Sequence, residues 1–148
     1  MHTTEIQDLQ FGILRWYDHW GWCAEKVEWI PGLMVPLCIR TEPTESNTIP
    51  ECAKTIFNTL RDREKQYLSL AAQRDMLDCY NEIWSDDDEA FWPDGWPVDA
   101  NNFINLLRLY SVFIDIAGES ELQYTTDGGP LLRVFISPDL SFKEALFD

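Results

Sequence analysis

Hydrophobic and polar positions alternate along the first forty residues and change to a helical spacing near residue 50. Leu9, Phe11 and Ile13 fall two apart, and the run continues through Arg15, Trp16 and Tyr17 to a turn at Asp18-His19-Trp20-Gly21. Between Trp22 and Ile30, Val27 and Trp29 share one side while Lys26 and Glu28 take the other, the two-residue period of a half-buried strand. Pro31-Gly32 marks a turn, and Leu33, Val35, Leu37 and Ile39 alternate beyond it. Pro36 interrupts this run without an N–H to give to a ladder, so the pattern predicts an edge strand or a bulge there. Three strands in a meander are expected.

Residues 41–47 are polar and contain Pro43, which makes them a connection. Thr48 is placed to cap a helix, with Pro50 in its first turn and Glu51 beside the positive end of the dipole. Cys52, Ala53, Ile56, Phe57 and Leu60 repeat at helical spacing, and Leu68, Ala72, Met76, Cys79, Tyr80 and Ile83 form a second stripe. One helix spanning both would be unusually long, so two helices breaking at the charged stretch 61–65 are expected. Residues 85–99, with two prolines, a glycine and five aspartates, form no regular element; Asp99 then caps a short helix over 100–107. The nearly unbroken apolar run 109–116 reads as a central strand covered on both faces. Leu122 and Tyr124 share a face, Asp127-Gly128-Gly129 suits a hairpin turn, and Leu132, Val134 and Ile136 make the last strand before Pro138.

The expected order is therefore β-β-β-α-α-α-β-β-β, one α+β domain over 1–148. An antiparallel sheet from the N-terminal and C-terminal strand sets carries the central helices on one face. Its core is expected to include Val35, Leu37, Ile56, Phe57, Leu60, Ala72, Leu77, Ile83, Val112, Ile114 and Val134.

Composition narrows the partners. Eleven Lys and Arg face twenty-six Asp and Glu, a formal charge of −15. That field repels nucleic-acid phosphates and anionic lipid and attracts a basic protein. The N-terminal residues lack a basic stretch followed by an apolar one, and no apolar run has membrane length, so a cytoplasmic protein is expected. Cys23, Cys38, Cys52 and Cys79 contain no C-x-x-C pair and only His2 and His19 could join them, so reduced thiols with no metal and no cofactor are expected.

The two histidines give little from which to assemble a nucleophile and base, so the chain does not read as an enzyme. Asp86, Asp87, Asp88 and Glu89 are consecutive, without the alternate ligand positions and central glycine of an EF-hand loop, and read as a solvated acidic loop. Phe91, Trp92, Asp94 and Trp96 follow at once. Aromatic rings among carboxylates suit a protein contact or a sugar platform, or else a loop whose rings plug the sheet edge. Trp16, Trp20, Trp22 and Trp29 lie in two adjacent strands and their turn, where core packing and cross-strand pairing are the expectation.

Leu77, Tyr80, Asn81 and Trp84 spell L-x-x-Y-N-x-x-W at a helix end. Phe103, Leu106 and Leu109 follow, and Tyr124, Asp127 and Gly128 spell Y-x-x-D-G. From Leu77 onward the chain resembles a bacterial family of domains of unknown function, similar to components of toxin–immunity neighbourhoods. The family pattern continues with an aromatic and Gly-His; this chain has Leu131-Leu132-Arg133-Val134 there, so no role of that histidine transfers. The resemblance, with the charge, implies a non-enzymatic, immunity- or inhibitor-type protein that masks a basic partner. Asp86, Asp87, Asp88, Glu89, Phe91, Trp92, Asp94 and Trp96 would be its contact loop. The alternative is a small-molecule or carbohydrate-binding domain using Trp92, Trp96 and the loop carboxylates.

Overall fold

Strand-forming segments at both ends of the chain meet in one sheet, in a computed structural model that describes residues 4–41, 48–73, 100–126 and 131–148. Among these residues the chain runs β1 (Glu5–Asp8), β2 (Gly12–Tyr17), β3 (Gly21–Ile30), β4 (Leu33–Arg40), α1 (Glu51–Ala71), α2 (Ala100–Leu106), β5 (Arg108–Asp115), β6 (Ser120–Thr125), β7 (Leu131–Ile136) and β8 (Phe142–Phe147). The eight strands lie side by side in chain order. The α+β class holds, with sheet predominating.

Three expectations about that sheet are corrected. It is mixed, not antiparallel: every neighbouring pair is antiparallel except β4 and β5, which run parallel. Two four-stranded meanders thus join through a crossover that contains the helices, since a helix packed over the sheet returns the chain to the end where β4 began. The first run is also two strands. Asp8 Oδ2 accepts hydrogen bonds from the backbone N–H groups of Gln10 (2.8 Å) and Phe11 (3.0 Å), turning the chain so that Leu9 is fully exposed and Phe11 buried. Gly12 completes this turn at φ +76°. Finally, β8 adds a strand beyond Pro138.

Pro36 is accommodated by a bulge and not by an edge. β4 is central, but its partners step from Ala24↔Leu37 to Val27↔Val35, so β3 sets an extra residue against the position that has no N–H. A matching shift between Leu109 and Ser111 lets Leu109 and Val112 both turn inward on β5. β5 is central as expected, yet its outward side is only partly covered, with Tyr110 exposed.

The expected break at 61–65 is absent, and α1 runs through it. Asp62, Arg63 and Lys65 face solvent while Leu60, Tyr67 and Leu68 are buried, so the charges occupy the outer side of one amphipathic helix. Its N-cap is Pro50, without a side-chain cap bond, and not Thr48. Phe57 packs edge-on against Phe11 (5.1 Å between centroids) and Trp29 (5.2 Å), fixing the helix to the inner face of the sheet. Lys54 Nζ reaches Asp8 Oδ1 at 3.1 Å, Tyr67 OH donates to Leu140 O at 2.7 Å, and Glu64 accepts from Trp29 Nε1 (3.0 Å) and Tyr124 OH (2.7 Å). Val35, Leu37, Phe57, Leu60, Ala72, Val112, Ile114 and Val134 are buried as expected; Ile56 is partly so, and Leu77 and Ile83 lie outside the described residues.

Candidate functional site

With α1 on the inner face, the outward positions of the strands form the other. Along one row the register sets Glu5, Arg15, Cys23, Cys38, Phe113, Glu121, Phe135 and Glu144 across all eight strands. The middle of this row is apolar, and a surface cavity of about 560 Å³ opens there. Tyr17, Trp20, Pro36 and Phe113 contribute its apolar walls, Cys23 and Cys38 lie in it, and Glu25, Ser111 and Gln123 supply polar groups. Its volume falls within the roughly 300–1,000 Å³ of ligand pockets.

Gly21 admits the close approach that shapes one end. At φ +86° it takes a conformation open to glycine, and a Cβ there would lie 2.1 Å from Ile39 O. The turn before it carries Trp20, whose ring meets Phe113 edge-on at 6.2 Å yet stays 59% exposed. Trp22 and Trp29 are core residues, and Trp16 packs edge-on against Trp22 at 5.4 Å, so of the four early tryptophans Trp20 alone is strongly exposed. Ile13, Tyr17, Ile30, Met34 and Tyr110 are further large apolar side chains left in solvent.

Beside the cavity runs a polar network. Ser111 Oγ donates to Gln123 Oε1 at 3.0 Å, Gln123 Nε2 donates to Glu121, and Arg133 holds Glu121 through Nε (3.0 Å) and Nη2 (2.9 Å). The bond to Glu121 is the chief reason the Arg133 guanidinium titrates above its ordinary value, and the guanidinium also lies 5.0 Å from the Phe135 ring centroid. These groups are satisfied by one another. Glu25, in contrast, has no ion-pair partner among the described residues.

Cys23 and Cys38 are joined as a disulfide, which corrects the expectation of reduced thiols for that pair; Cys52 is free and exposed, and Cys79 lies outside the described residues. The cause is register. β3 and β4 close at Ile30↔Leu33, and an unshifted ladder from there would set Cys38 against Glu25; two register shifts bring it to Cys23.

The expected contact loop, Asp86, Asp87, Asp88, Glu89, Phe91, Trp92, Asp94 and Trp96, lies outside the described residues, as does the turn expected at 127–129. His19 sits in the turn between β2 and β3. Among the described residues no cluster of three or more His, Cys, Asp or Glu is placed to hold a metal ion, and no helix is long and apolar enough to cross a membrane. Comparison with protein-family models, curated proteins and solved structures gives no match.

Proposed function

We propose that this chain is a non-enzymatic, acidic interaction protein of the immunity or inhibitor type, which masks a basic partner protein with the outer face of its sheet. The carrying observation is that face: Tyr17 and Trp20 stay exposed at the cavity and Ile13, Met34 and Tyr110 are exposed elsewhere on the strands, on a chain of formal charge −15. Aromatic side chains in a partly desolvated setting are the usual anchors of protein interfaces, while excess charge of one sign steers the opposite charge into contact. The two contributions separate kinetically. A rim or long-range charge acts on association and is screened by salt; a buried anchor acts on dissociation.

Affinity capture from the native host at low salt, with each captured protein identified, tests the reading. A partner with a strongly basic surface is expected. Its association should slow as salt rises, and Trp20→Ala should speed its dissociation at a cost of about 2 kcal/mol or more. Retention of only neutral or acidic proteins, or a basic partner indifferent to both Trp20→Ala and Tyr17→Ala, defeats it. The cavity also favours one second reading, a small-molecule or carbohydrate site with Tyr17 and Trp20 as its platform. An oligosaccharide bound by the isolated protein and lost in both variants would establish that instead.

A further inference from the structure

We infer that Cys23 and Cys38 form a thiol–disulfide exchange site, reached by a small soluble thiol through the outer-face cavity. The bridge is in an unusual place for a staple. It lies on the outward side of β3 and β4, half-buried, while the core occupies the inward side. Both cysteines line the cavity of about 560 Å³, which brings a thiol within reach of sulfur without unfolding the sheet.

The crosslink is also redundant for register. The flanking pairs Trp22↔Ile39 and Ala24↔Leu37 are laddered, and β3 and β4 belong to one hairpin with inward residues Trp22, Ala24, Leu37 and Ile39 all buried. Opening the bridge therefore leaves the two strands held by their own hydrogen bonds and by packing under α1. A bridge whose loss the fold tolerates, and whose sulfurs meet solvent, can cycle.

The charge around the bridge is mixed, with two guanidinium groups among carboxylates. Arg15 is the register partner of Cys23 on β2, and Arg40 lies two residues beyond Cys38 on the same outward side. A guanidinium near a cysteine stabilises its thiolate, the leaving group when a bridge is attacked. Glu5, which pairs with Arg15 at 3.4 Å, Asp115, the register partner of Arg40 on β5, and Glu25 at the cavity act against this, so access through the cavity and not charge carries the inference. In the first step a thiolate RS⁻ attacks one bridge sulfur, the S–S bond breaks, and a mixed disulfide and one protein thiolate result. A second RS⁻ then attacks the RS sulfur of the mixed disulfide, releasing RSSR and the other protein thiolate. Each protein thiolate takes a proton from water, so two RSH are oxidised to RSSR as one disulfide becomes two thiols. RSSR reverses both steps.

The site requires no partner protein, and its failure would leave the docking reading untouched. The test equilibrates the full-length folded protein in buffers of reduced and oxidised glutathione, alkylates rapidly, and reads each cysteine by peptide mass spectrometry. The exposed Cys52 serves as the reference for alkylation. The expected result is that Cys23 and Cys38 become labelled together as the reduced share rises and lose label when oxidised glutathione is restored, while circular dichroism stays native throughout. Three results overturn the inference: labelling of the pair only after denaturant, full labelling before any reductant, or loss of the native spectrum on reduction.

Discussion

Glu64 shows how one residue can carry opposite meanings in sequence and in structure. It belongs to the charged stretch that reads as a helix break, yet its carboxylate turns inward and accepts hydrogen bonds from two fully buried rings, Trp29 and Tyr124. Spacing alone does not separate a solvated glutamate from one that ties a helix to a sheet; the phenol and indole donors come from strands 60 and 35 residues away. The arrangement has a consequence at high pH. Burial pushes the Tyr124 hydroxyl well above its ordinary value of 10.0, and the Glu64 carboxylate, by its charge and by its hydrogen bond, pushes it further. The fold therefore holds the phenol proton more tightly than the unfolded chain does. That contribution is fully present below pH 10 and is lost as pH rises beyond it towards the folded value. Denaturant titrations at several alkaline pH values should show stability falling more steeply in the native protein than in Tyr124→Phe. At neutral pH the variant should be weaker by about 1.5–3 kcal/mol, the cost of a lost hydrogen bond to a charged group. Equal slopes above pH 10 would mean that Tyr124 does not titrate differently in the two states.

At the scale of elements, the strands were legible wherever apolar residues alternate on one parity, and less so where the ladder shifts. Val35, Leu37 and Ile39 fall inward as their spacing says, but Leu9 and Ile13 do not, because the Asp8 turn intervenes. The outer face left a trace that alternation hides: residues 33–39 and 109–116 are largely apolar on both parities, and their outward members, Pro36, Cys38 and Phe113, surround the cavity. The disulfide left none, since two register shifts create it. The acidic, tryptophan-containing segment 86–96, the strongest sequence candidate, falls outside the described residues. For the helix, the correction can be tested by exploiting glycine. Asp62 is exposed and mid-helix, with no ion pair among the described residues. In a continuous α1, Asp62→Gly should be less stable than Asp62→Ala by about 0.8–1.0 kcal/mol, the propensity difference inside a helix. Chemical denaturation measures the difference directly. A value within a few tenths of zero would place Asp62 in a linker and restore the two-helix reading.

For the whole molecule, composition was the most direct guide to charge and the poorest guide to topology. Whether β4 and β5 run parallel depends on the end at which the chain re-enters the sheet, and no residue of either strand encodes that. The net charge, by contrast, follows from counting, and it acts on stability as well as on partners. With 26 acidic and 11 basic side chains, a folded chain of 148 residues concentrates like charge that the unfolded chain can spread apart. Some of the basic side chains are spent on exposed pairs such as Arg15–Glu5, where both partners are more than half exposed and the gain is small. Self-repulsion should therefore outweigh attraction at low ionic strength. Sodium chloride screens both, over a distance that shrinks from about 30 Å at 0.01 M to about 10 Å at 0.1 M. Raising it through that range should increase the melting temperature, by roughly 2–4 °C for each kcal/mol of repulsion removed in a chain of this size. Chloride is the salt to use, because sulfate would strengthen apolar burial and obscure the cause. A melting temperature that falls over the same range would show that the exposed ion pairs outweigh the net charge, and would remove the premise that this surface has acidity to spare for a basic partner.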